Sequence, residues 1–167
     1  KTTLVEQLIA RLRARGLRVS VVKHAHHRFD IDHPGKDTFR HREAGAFEVV
    51  IASGRRLALM REFEQAAELS VHHLLAELWD GVDWVLVEGF RGSDLPKIEV
   101  WRPATDQPAR YPEDDFIAAI ATDDAAALPV PTLRPVLDLN DAEAIAQWLI
   151  DNGQRFDYDP ERYPLHV

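Results

Sequence analysis

The sequence predicts an α/β fold, a mostly parallel sheet with helices on both faces and one antiparallel hairpin. Three observations predict it. Amphipathic stretches of helical period alternate with short β-branched runs along most of the chain. The most strand-like run, residues 83–87 (DWVLV), is nearly continuous in apolar side chains, as a strand covered on both faces requires. Two further runs flank Ser53-Gly54-Arg55, a turn signal between strands.

In chain order, Leu4, Val5, Leu8, Ile9 and Leu12 form one stripe of a helix over 2–15, and Gly16 stands where a glycine ends it. Residues 17–23 (LRVSVVK) follow as a strand. The polar stretch 24–36, with Pro34-Gly35, reads as a loop, and 37–44 as a short helix ended by Gly45. Residues 47–52 and 56–60 are the hairpin strands. Ser70 caps a helix whose Val71, Leu74, Leu75 and Leu78 share a face and which Gly81 closes. The strand 83–87 then runs into Glu88-Gly89. Strands over 97–101 and 116–121 bracket a Pro-rich loop, 102–112, and 136–139 is the last strand. Asn140 caps the final helix, through Asn152, with Glu143 completing a capping-box pattern and Gly153 ending it. Residues 1–153 are expected to be one domain without a dividing linker, and 154–167, polar and aromatic without period, a loosely ordered tail.

The composition narrows the function. The chain has 167 residues, 20 basic against 28 acidic side chains, a net charge of −8 and no cysteine. No thiolate site or disulfide framework is available, which suits a reducing cytoplasm. The acidic balance argues against nucleic acid and anionic membrane as partners, so an anionic ligand must be held locally.

Four groups of residues can carry chemistry. Lys1-Thr2-Thr3 at a helix start matches the end of a phosphate-binding loop, where Lys reaches phosphates and the first Thr hydroxyl binds Mg²⁺. Glu88, at the carboxyl end of the apolar strand, can hold Mg²⁺ or polarise water, and Gly89 lets backbone approach a phosphate. Lys23, His24, His26, His27, Asp30, Asp32, His33 and Lys36 form the densest polar constellation, suited to a transition metal or to an anion. Asp123 follows a strand and can accept hydrogen bonds from guanine, or serve with Asp124 as a turn cap. His72 and His73 read as surface and packing residues on a helix, and Met60, Trp79, Trp101 and Trp148 as packing residues.

Together, Lys1-Thr2-Thr3-Leu4, the run KHAHHRFDIDHPGKD over 23–37, Arg42-Glu43-Ala44-Gly45-Ala46 and Val85-Leu86-Val87-Glu88-Gly89-Phe90 resemble the molybdopterin-guanine dinucleotide biosynthesis protein B family. The resemblance spans 1 to about 153. It implies a three-layer P-loop NTPase fold and a homodimeric, GTP-binding accessory protein with weak Mg²⁺-dependent GTPase activity. Such a protein works beside the guanylyltransferase, protein A, that joins GMP to a molybdopterin-type cofactor. Carried over, Lys1, Thr2 and Thr3 bind phosphate, with Thr2, Glu88 and Asp32 as candidate Mg²⁺ ligands and Glu88 as the catalytic acid. The stretch from Lys23 and His24 through His26, Asp32 and Lys36 to Asp37 becomes a loop near the γ-phosphate. In the family a strand and a glycine-rich turn precede the Lys. The expectation is therefore that this chain opens inside its own phosphate loop. Two rival readings are a nickel or zinc delivery GTPase using the His24 to His27 cluster, and an interaction module without hydrolysis. The hairpin edges offer a dimer contact.

Overall fold

In the computed structural model, residues 1–25 and 29–163 are described. The α/β class holds, with four α-helices and seven strands among the described residues. The chain groups into two compact units, one of Lys1–His24 with Ser70–Val167 and one of Ala25–Leu69. The second unit is polar at its start and holds a two-stranded hairpin with its own short helix.

The first unit contains α1 (Thr2–Ala14), β1 (Val19–Lys23), α3 (Val71–Ala76), β4 (Trp84–Glu88), β5 (Lys97–Val100), β6 (Ile117–Thr122), β7 (Val136–Asp138) and α4 (Ala142–Asp151). All its strand pairs are parallel: β1 with β4, and β5–β6–β7 in that order. The α1 stripe works as its spacing implies. Leu4, Leu8 and Leu12 are buried, and Leu4 and Leu8 pack with Ile145, Ala146 and Leu149 of α4 and Ala121 of β6. Each leucine or isoleucine side chain so removed from water favours folding by roughly 1.5–3 kcal/mol. Gly16, at φ 80, ends α1, and the Leu17 N–H returns to the Leu12 carbonyl at 3.2 Å. Strand β6 is the centre, with Ala119, Ile120 and Ala121 fully buried.

The predicted cap of α4 moves by one residue. Asp141, not Asn140, is the N-cap, its carboxylate accepting from the Ala144 N–H at 2.9 Å. Asn140 instead donates to the Asp138 carboxylate. Glu143 forms no capping box, because it turns outward to ion-pair with Arg15 and Arg11 of α1. Helix α3 is shorter than expected, ending at Ala76 with Glu77 as its C-cap, although Ser70 caps its start in a box with His73. Trp79 was expected to pack and is instead 78% exposed, while Trp101 is buried and donates its indole N–H to the Gln107 carbonyl.

The tail up to Tyr163, expected to be loose, is organised. Residues Gly153–Phe156 and Pro160–Arg162 form 3₁₀ turns. Phe156 packs on Trp84 and Trp148, and Tyr158 and Tyr163 stack on His72, the latter with ring centroids 3.9 Å apart. Aromatic faces meeting distant aromatic faces supply the order that a periodic stripe would otherwise have signalled.

The second unit holds α2 (Asp37–Glu43) and the antiparallel pair β2 (Glu48–Ala52) and β3 (Leu57–Arg61). The Ser53 N–H bonds the Arg56 carbonyl at 2.8 Å to close the hairpin. Val50, Ile51, Leu57 and Leu59 remain exposed.

Candidate functional site

The parallel pairing of β1 with β4 sets Lys23 opposite Glu88 at the carboxyl ends of both strands. Ligands in parallel α/β sheets bind beyond such ends. The Glu88 side chain is 19% exposed and stands between two partners: the Thr2 hydroxyl donates to its Oε1 at 2.7 Å, and Lys23 Nζ lies 3.7 Å from its Oε2. Thr2 opens α1, so one hydrogen bond joins the helix start to the strand-end acid across 86 residues of sequence. Lys1 is the N-cap and makes no side-chain cap bond, and the first turn contains no acidic residue. Lys1, Thr2 and Thr3 are exposed. The start of α1, the Thr2 hydroxyl and the Lys23 ammonium thus stand together at Glu88, and a helix start beside a positive charge is a setting for an anion.

Beyond Glu88 the backbone is tightly constrained. Gly89 has φ 106, and a Cβ placed there would stand 2.7 Å from the His24 Cβ. Only glycine meets both conditions. The His24 N–H donates to the Glu88 carbonyl at 2.9 Å, extending the β1–β4 ladder. Phe90, also at positive φ (48°), stacks its ring on the His24 imidazole with centroids 4.8 Å apart. Sequence reasoning named Gly89 for backbone approach to a phosphate, but its packing against His24 and the part played by Phe90 were not legible locally.

Asp123, at the end of β6, accepts from Arg102 Nε at 2.6 Å. The capping role passes to Asp124, whose Oδ1 accepts from the Ala126 and Ala127 N–H groups.

In the second unit, Asp32 is held by its neighbours. Its Oδ1 accepts from the His33 N–H and the Thr38 hydroxyl, both at 2.9 Å, and its Oδ2 from Arg42 at 3.2 Å. Arg42 also binds Asp30 and Glu62. Burial pushes the Asp32 carboxyl pKa up, but hydrogen bonds from His33, Thr38 and Arg42 outweigh it, and the net shift is downward. Asp30 is lowered by the Asp32 N–H and by Arg42, and the three carboxylates raise the Arg42 pKa. Both Asp32 oxygens serve this network, which fastens the loop. Arg42, which organises the cluster, was noticed only within a matching segment. Lys36 and Asp37 are exposed at the start of α2, Asp37 lying 3.8 Å from Arg40. His26 and His27 lie outside the described residues, and among the described residues no group of three His, Asp or Glu side chains is arranged to hold a metal ion. His73 is spent in the α3 cap, and His72 bridges Tyr158 and Asp94. No helix among the described residues is long and apolar enough to cross a membrane.

Comparison with known proteins adds an independent line. The profile of the family described as MobB, molybdopterin guanine dinucleotide synthesis protein B, matches residues 1–123. The chain is 38% identical over 157 residues to the molybdopterin-guanine dinucleotide biosynthesis adapter protein of Escherichia coli (strain K12), covering 93% of this chain and 87% of that protein. It is 40% identical over 152 residues to the protein of the same name from Haemophilus influenzae, covering 89% and 80%. A crystal structure of molybdopterin-guanine biosynthesis protein B superimposes with a TM-score of 0.66 at 25% identity, covering 90% of each chain.

Proposed function

The chain belongs to the MobB family, and from that premise we propose that it is an adapter of molybdopterin-guanine dinucleotide biosynthesis that binds GTP with Mg²⁺ and hydrolyses it slowly. The observation that carries this reading is the Thr2 hydroxyl 2.7 Å from the Glu88 carboxylate at the opening of α1. A hydroxyl and a carboxylate are hard oxygen donors, the set that suits Mg²⁺. Thr2 and Glu88 would hold the ion, which when bound offsets the charge on the phosphate oxygens. Lys1 and the first N–H groups of α1 bind the phosphates. Lys23 adds a second positive charge beside them, and Glu88 orients a water for in-line attack. This reading draws on positioning and charge neutralisation rather than on a covalent intermediate, with slow turnover.

The same reading assigns the partner as the guanylyltransferase that handles the molybdopterin-type cofactor. It assigns a homodimer as the working state, since the exposed Val50, Ile51, Leu57 and Leu59 of the hairpin suit a second copy. The net charge of −8 and the absence of cysteine support a cytoplasmic setting. Calorimetric titration of GTP with and without Mg²⁺ tests the site. Lys1→Ala is expected to abolish binding, and unchanged affinity in that variant would refute the phosphate assignment. Glu88→Gln is expected to bind GTP yet turn over roughly 10²-fold more slowly. Unaltered turnover would make Glu88 structural.

A further inference from the structure

Strands β5 and β6 run parallel with Val100 opposite Ala121, and the Trp101 N–H continues the ladder to the Ala121 carbonyl at 3.0 Å. Two residues past Val100 and two past Ala121, the same register brings Arg102 beside Asp123. Both backbones are pinned. The Arg102 carbonyl accepts from the Thr105 hydroxyl at 2.8 Å and from its N–H at 3.1 Å. Thr122, next to Asp123, is buried and its hydroxyl accepts from the Asp124 N–H at 3.2 Å. Between these fixed points Arg102 Nε donates to Asp123 Oδ2 at 2.6 Å, with side-chain exposures of 51% and 22%. Among the described residues, no other group engages the two Arg102 Nη atoms or Asp123 Oδ1. The pair therefore presents, side by side at a strand end, unused N–H donors and a carboxylate acceptor.

That row matches one purine edge. Guanine carries an acceptor, O6, beside two donors, N1–H and N2–H; adenine carries a donor, N6–H, beside an acceptor, N1. Against a guanidinium next to a carboxylate, guanine pairs every group, while adenine sets donor against donor and acceptor against acceptor. We propose that Arg102 is a specificity-determining residue that donates to guanine O6 while Asp123 accepts from N1–H and N2–H, so that the pair reads the base as a unit. This rests on the nucleotide-binding reading above and goes beyond it, because it assigns base selection to a residue outside the phosphate site.

The test measures affinities of the intact protein for GTP, ITP and ATP with Mg²⁺, for the wild type, Arg102→Ala and Arg102→Lys, with circular dichroism melts to confirm folding. ITP keeps O6 and N1–H but lacks the N2 amine, so it separates the two halves of the edge. In Arg102→Ala, GTP and ITP binding should both fall by about 10-fold or more, while ATP binding holds and the GTP-to-ITP ratio is preserved. Arg102→Lys should restore part of the loss, since a point donor replaces a planar fork. A GTP-to-ATP preference unchanged in Arg102→Ala overturns the proposal and leaves the phosphate site standing. Collapse of the GTP-to-ITP ratio also overturns it, since Arg102 would then act only by positioning Asp123. A wild type that binds GTP and ATP equally well sinks base reading alone. A wild type that binds no nucleotide removes the functional reading and the proposal together.

Discussion

Replacement of Gly89 by alanine places a methyl group where the structure has no room for it. The new Cβ would stand 2.7 Å from the His24 Cβ, and the residue would have to hold φ 106. The backbone conformation costs an L-residue about 1–3 kcal/mol. Relieving the overlap requires the end of β1 to move from β4, an overpacking cost of about 1–3 kcal/mol. The sum is roughly 2–6 kcal/mol, which for a chain of this size lowers Tm by at least about 4 °C. Thermal unfolding followed by calorimetry measures it, and the companion substitutions identify the cause. His24→Ala keeps the offending Cβ, so Gly89→Ala combined with it should recover nothing. His24→Gly removes that carbon, so a double-mutant cycle with it should show a favourable coupling of about 1–3 kcal/mol, leaving only the φ cost. A Gly89→Ala protein melting within about 1 °C of the wild type, or equal coupling with both partners, would refute the steric reasoning.

Acid should loosen the second unit first. Asp30 and Asp32 have folded-state pKa values below 3.8, so their ionised forms favour folding; that contribution is full above about pH 4–5 and is lost as pH falls below 3.8. Arg42→Ala should flatten this dependence, as read by amide exchange in residues 29–63 between pH 5 and 3. Asp141→Ala should lower stability by about 0.5–2 kcal/mol in urea unfolding, whereas Asn140→Ala changes it by a few tenths, the reverse of what the sequence alone suggests. Tyr163→Ala removes a ring stacked at 3.9 Å on His72, so limited proteolysis should cut the 154–163 segment faster while the Tm of the rest holds.

The reach of sequence reasoning follows from the range over which each feature is encoded. Helix α1, its glycine stop, the hairpin turn and the strand ending in Glu88 depend on neighbours within about one turn or one pleat, and the residues declare them. The capping of α4 shows the limit even there. Asn140, Asp141 and Glu143 offer overlapping patterns, and the choice of Asp141 was decided when Glu143 met Arg15, far away in sequence. The partners of Asp32 are similarly hidden from local reading, since Arg42 and Thr38 reach it only once α2 has folded.

By itself, the sequence determined the α/β class, the order of helices and strands, the exclusion of thiol chemistry, and the residues at the opening of α1 and the end of β4 from which family membership was legible. Only the tertiary structure decided that Thr2 meets Glu88, that Gly89 is locked against His24, that Arg102 stands beside Asp123, and that Tyr158 and Tyr163 hold the tail on His72. These pairs join residues 21 to 91 positions apart, and strand register and packed faces select them, properties that no local period contains.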